Sequence, residues 1–126
     1  MKTLLIDTHA LLWWLTGHRR LPEAVQGRIA DPETRVLVSA VCAWEIAIKR
    51  ALGKLEAPDG LLEVVEESGL EWVPVEPAEA FAAGGLPLHH RDPFDRLLVA
   101  QAMERSTAIV SQDEMFDRYG VERLWG

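Results

Sequence analysis

The chain has 126 residues, of which 48% are hydrophobic, enough for one compact domain with a buried core over residues 1–126 and too few for a second large one. Its formal charge of −7, from 20 acidic and 13 basic residues, argues against a protein that coats nucleic acid through a basic face, but not against a cluster of catalytic acids whose charge a metal neutralises. No apolar stretch is long enough to span a bilayer, and Cys42 is the one cysteine, so the expectation is a cytoplasmic protein with no disulfide and no membrane partner.

In chain order, residues 3–6 form a short apolar run, as expected of a central parallel strand. The run breaks at Asp7, too early for a signal peptide. Ala10 to Leu15 reads as a helix ending near Gly17, and Leu21-Pro22-Glu23 opens a second one that stops at Asp31-Pro32. Val36-Leu37-Val38 is the second strand. Ser39 is a good N-cap for a long helix that ends at Gly53. Leu61 to Glu67 reads as helix, Leu70 to Val75 as the third strand, and Pro77 to Ala83 as a short helix. Pro93 to Arg105 is a strong helix, followed by a fourth strand over Thr107–Val110, a helical turn over Glu114–Tyr119 and an edge strand within Val121–Trp125. Strands alternating with helices predict a three-layer α/β/α sandwich around a mainly parallel sheet, with ligands at the C-terminal edge of its strands.

Four acids stand where such an edge would gather them. Asp7 and Asp113 lie just beyond strands, whereas Glu45 and Asp95 lie on helices. Brought together, four carboxylates repel one another unless a divalent cation sits among them. Each also has a structural explanation. Asp7 is a good N-cap. Asp92-Pro93-Phe94-Asp95 is a good helix start, with Asp92 as cap. Ser111-Gln112-Asp113-Glu114 has capping-box spacing, with Ser111 as cap. Glu45 resists this treatment, because Trp44, Ile46, Ala47 and Ile48 surround it and no helix end is near. Its structural alternative is an ion pair with Lys49.

The other candidates read as structural. His9, His18, His89 and His90 do not pair at zinc-ligand spacing, and His89-His90 reads as a solvated loop. Cys42 and Trp44 read as core. Trp13 and Trp14 are adjacent on one helix. Either one is exposed and marks a partner surface, or both pack at a crowded helix junction. Arg96 is placed either to contact phosphate or to pair with Asp92.

The motifs Leu5-Ile6-Asp7-Thr8-His9, Ser39-Ala40-Val41 with Trp44-Glu45-Ile46, Asp92-Pro93-Phe94-Asp95-Arg96-Leu97-Leu98, and Ser111-Gln112-Asp113 together resemble PIN-domain ribonucleases, and among them VapC-like toxins of bacterial toxin–antitoxin pairs. The resemblance spans essentially the whole chain, and Asp-Pro-Phe-Asp-Arg is its most specific block. It implies a PIN-like fold and Mg²⁺- or Mn²⁺-dependent cleavage of RNA. The implied catalytic and metal-binding residues are Asp7, Glu45, Asp95 and Asp113. Thr8, Ser39 and Ser111 match small hydroxyl positions near the site, and Arg96 belongs to the same block. The motif positions offer no candidate histidine general base, so a water activated by the metal is the expected nucleophile. An antitoxin partner and a homodimer are also implied, with Trp13 and Trp14 as candidate contacts.

Three other readings compete. A phosphatase or phosphotransferase with an aspartate nucleophile typically needs a second Asp two positions on, where this chain has His9. A phospho-acceptor signalling domain usually places a Lys after its last strand, and Glu122-Arg123-Leu124-Trp125 offers none. A non-catalytic module with the same fold would not need acids at all four positions.

Overall fold

A computed structural model describes residues 2–126. The first strand, β1 (Lys2–Ile6), runs into the helix α1 (Thr8–Thr16), and α2 (Glu23–Ala30) comes next. Then come β2 (Thr34–Ser39), α3 (Ala40–Ala51), α4 (Leu61–Glu67), β3 (Glu71–Val73), α5 (Pro77–Gly84) and α6 (Pro93–Arg105). The chain ends with β4 (Ala108–Val110), a 3₁₀ helix over Glu114–Tyr119, and β5 (Arg123–Leu124). The described strands form one parallel sheet in the order β3-β2-β1-β4-β5. With the flanking helices it makes the expected three-layer α/β/α arrangement.

The hydrophobic pattern explains why β1 lies at the centre. Leu4, Leu5 and Ile6 are all buried, which alternating in–out strands do not allow but a strand covered on both faces requires. In register, Leu4 pairs with Val36 and Ala108, and Ile6 with Val38 and Val110. Val25, Leu98, Val99 and Phe116 close over these rows and complete the core. Each large aliphatic side chain buried this way contributes about 1.5–3 kcal/mol.

The strand order fixes where a ligand crevice forms. From β1 the chain moves outward through β2 to β3, then crosses back to β4 on the other side of β1. Beside the C-terminal end of β1 the winding therefore reverses, and in open α/β sheets that reversal leaves a crevice. The third strand is shorter than the sequence suggests, because the Leu70 amide donates to the Val65 carbonyl at the end of α4 and Pro74 has no N–H to continue a ladder. Among the described residues, no helix is long and apolar enough to cross a membrane.

Candidate active site

Asp7 and Ser111 are neighbours at the crevice because their strands are in register. Ile6 pairs with Val110, and the Asp7 amide donates to the Val110 carbonyl at 3.1 Å. Asp7 is also the N-cap of α1, its Oδ1 accepting from the Ala10 amide at 2.9 Å. The capping explanation and the site explanation therefore hold together at this residue. One carboxylate oxygen caps the helix, and the side chain stays almost completely buried. That burial pushes the Asp7 carboxyl above its ordinary value. The Ser111 hydroxyl and the Ala10 amide oppose the shift, while the charge of Glu45 adds to it.

Glu45 comes from the middle of α3 and is only 3% exposed. Its two oxygens are held separately. Thr8 Oγ1 donates to Oε1 at 2.5 Å, and Lys49 Nζ lies 2.5 Å from Oε2. The i,i+4 pair expected on structural grounds is thus real, and it is made by a buried acid facing the crevice rather than by an exposed one. The carboxylate in turn raises the pKa of Lys49.

Asp95 stands in the first turn of α6, which Asp92 caps by accepting from the Phe94 and Asp95 amides. The Asp95 carboxyl is pushed up to about 7. Burial is the main cause, the negative charges of Asp92, Asp7 and Glu45 add to it, and His90 opposes. Asp113 caps the 3₁₀ helix through the Met115 amide. Ser111, expected as that cap, instead accepts from the Asp113 amide at 3.0 Å. The cap moved because Asp113, not Ser111, is the last extended residue before the helix.

The structure corrects the reading of His90. It is not a solvated loop residue, for its Nε2 lies 2.9 Å from Asp95 Oδ2 and 2.9 Å from Asp113 Oδ2. Among the described residues, His90, Asp95 and Asp113 form a group of metal-ligating atoms that all lie within 4.8 Å of one another. The four acids therefore fall into a buried pair, Asp7 and Glu45, and a half-buried pair, Asp95 and Asp113, that a histidine bridges. The two pairs feel each other's charge through Asp95.

Other expectations come out differently. Arg96 neither pairs with Asp92 nor faces the crevice. Its guanidinium donates to the carbonyls of Ala83, Leu86, Pro87 and His90 and straps the loop before α6. Ser39 is fully buried and caps α3 through the Val41 amide, as expected. Trp44 is 62% exposed rather than core, its ring edge-to-face with Phe94. Cys42 is fully buried, and burial pushes its thiol up to about 12. Trp13 and Trp14 are both half-buried against the core. Trp13 sits among His9, His18 and Trp125, with the Arg20 guanidinium 5.9 Å from its ring centre. An open groove of about 830 Å³ runs from Asp7 and Asp113 past His9, Trp13, Arg20 and Arg118.

The PIN-domain family model matches residues 4–122, which takes in all four acids. The chain belongs to the PIN-domain family. It is 28% identical over 116 residues to Ribonuclease VapC22 of Mycobacterium tuberculosis (strain ATCC 25618 / H37Rv), a match covering 90% of this chain and 88% of that protein. Among the solved structures that share the fold are two VapBC assemblies. One is VapBC2 from Rickettsia felis bound to a DNA fragment from their promoter, with a TM-score of 0.71, 14% identity, and 98% of this chain and 99% of that one covered. The other is DNA-bound VapBC from Salmonella typhimurium, with a TM-score of 0.70, 23% identity and 98% of each chain covered.

Proposed function

We propose that this PIN-domain chain is a divalent-metal-dependent endoribonuclease and the toxin of a toxin–antitoxin pair. The observation that carries the reading is the meeting of Asp7, Glu45, Asp95 and Asp113, from four separate segments, at the crevice where the sheet reverses its winding. The name of the VapC22 relative supports ribonuclease chemistry.

The donor set suits Mg²⁺ or Mn²⁺. Carboxylate oxygens predominate, with the Thr8 and Ser111 hydroxyls beside them, and hard cations prefer oxygen. Burial first, and neighbouring carboxylates after it, raise the carboxyls of Asp7 and Asp95, and a bound cation would offset both effects. Asp7, Asp95 and Glu45 would hold the ion, and Asp113 would orient the attacking water. When bound, the metal would make a water more acidic and offset charge on the phosphoryl oxygens. Thr8 keeps the buried Glu45 carboxylate fixed, and Lys49 balances its charge from the other side. The groove beyond Asp7 would carry the RNA strand, with Arg20 and Arg118 near its phosphates.

The proposed protein partners are a small antitoxin and a second copy of this chain. The structural neighbours solved as VapBC assemblies support the antitoxin.

The test is cleavage of labelled single-stranded RNA by the purified chain with Mg²⁺, with Mn²⁺ and with EDTA. Cleavage should need the metal. It should fall about 100-fold or more in Asp7→Asn, since even residues behind the ligands of a metal cost 10–100-fold. Asn caps helices as well as Asp does, so the fold should persist. Equal cleavage by this variant, or cleavage in EDTA, would discard the reading.

A further inference from the structure

His90 holds a position that neither the acids nor the motifs explain. Its Nδ1 accepts from the Asp92 amide at 3.2 Å. A ring nitrogen that accepts a hydrogen bond carries no proton, so in the neutral imidazole the proton is on Nε2. That Nε2–H donates to Asp113 Oδ2 at 2.9 Å, and Asp95 Oδ2 lies 2.9 Å from the same nitrogen. The ring is therefore a hydrogen-bond donor to Asp113 and an ion-pair neighbour of Asp95. Nε2 cannot bind a metal in this arrangement, because its lone pair is used by the proton.

The rest of the loop keeps the ring in place. The His90 amide donates to the Tyr119 hydroxyl at 2.8 Å, which itself donates to the Pro87 carbonyl at 2.8 Å. Arg96 holds the carbonyls of Leu86, Pro87 and His90 itself, and the His90 ring lies 6.2 Å from the buried Phe116 ring, centre to centre. These contacts fix the backbone, so taking the ring out breaks only its own contacts, with the Asp92 amide, Asp113 and Phe116.

We infer that His90 is a positioning residue that occupies the space between Asp95 and Asp113, holding the two acids at bridging distance, and that a divalent cation binding at Asp95 displaces it. This inference rests on the metal-dependent reading above. The imidazole takes the cation's place in the metal-free protein and competes with it. Removing the ring therefore favours the metal, whereas removing a true ligand would weaken binding.

The experiment is Mn²⁺ titration of the full chain, followed by the electron paramagnetic resonance of free Mn²⁺, for wild type, His90→Ala and His90→Gln. In parallel, ¹⁵N spectra of the His90 ring are recorded without metal and with Mg²⁺. His90→Ala should bind Mn²⁺ about ten-fold more tightly, since the cation no longer breaks charge-assisted hydrogen bonds. His90→Gln restores an N–H donor and should return affinity toward wild type. If His90→Ala does not fold, the ring spectra decide. They should show the Nε2–H form without metal, and Mg²⁺ should disturb that signal without moving the proton to Nδ1. Weaker or unchanged Mn²⁺ binding in His90→Ala, or an Nδ1–H ring on Mg²⁺ addition, overturns the inference while leaving the hydrolase reading intact. No Mn²⁺ uptake by any of the three proteins overturns both.

Discussion

Thr8 Oγ1 donates to Glu45 Oε1 at 2.5 Å, joining the first residue of α1 to a carboxylate in the middle of α3. Both side chains are buried. A buried carboxylate that loses a donor bears the cost of its own desolvation. The hydroxyl next to Asp7 is therefore as much a part of the site as the acids.

Thr8→Val keeps the shape of the side chain and removes the donor. Unfolding in urea should show a loss of about 1.5–3 kcal/mol, the range for a hydrogen bond to a charged group. Thr8→Ser should recover most of it. Metal-dependent RNA cleavage should fall with the valine and return with the serine.

The Asp95 carboxyl, pushed up to about 7 by burial first and by neighbouring acids second, sets a pH dependence. Between about pH 4 and about pH 7 the folded chain keeps a proton that the unfolded chain has released. The folded state binds more protons there, so the stability of the metal-free protein falls as pH rises through that window. The raised carboxyl of Asp7 acts in the same direction. Thermal melts in EDTA should show Tm dropping on the order of 5 °C across the window. Asp95→Asn should flatten the curve, and added Mg²⁺ should reverse the slope near neutral pH.

Arg96 binds four carbonyls of the segment that ends at His90. Arg96→Met should cost about 2–3 kcal/mol in urea unfolding, with buried acceptors left short of donors. Arg96→Lys should restore little, because one ammonium cannot reproduce the planar fork. A full recovery by lysine would argue against the strap.

Much of this site is written locally in the sequence. Asp7 and Ser39 end extended segments and cap the helices that begin at the next residue, and each of these caps shows as a residue type next to a change in hydrophobic period, whereas Asp113 caps its helix where the spacing pointed to Ser111. Glu45 shows as an acid with no helix end nearby. Trp44 reads as core and is exposed, for a reason that lies in the helical spacing. Val41, Cys42, Glu45 and Ile46 lie on one buried face of α3 at helical spacing, and the residue before Glu45 is turned about 100° away from it. His90 and Arg96 were not legible. Their partners are backbone carbonyls of a loop with no period, and a carboxylate 23 positions away. Only the folded path of residues 84–92 brings these groups together.

The central claim is that Asp7, Glu45, Asp95 and Asp113 form one divalent-cation site. Crystals of the chain soaked in Mn²⁺ and measured at the manganese absorption edge test this most directly. An anomalous peak in contact with the Asp7 and Asp95 carboxylates is the predicted result. A peak elsewhere on the surface, with the crevice empty in a protein that still cleaves RNA, would contradict it.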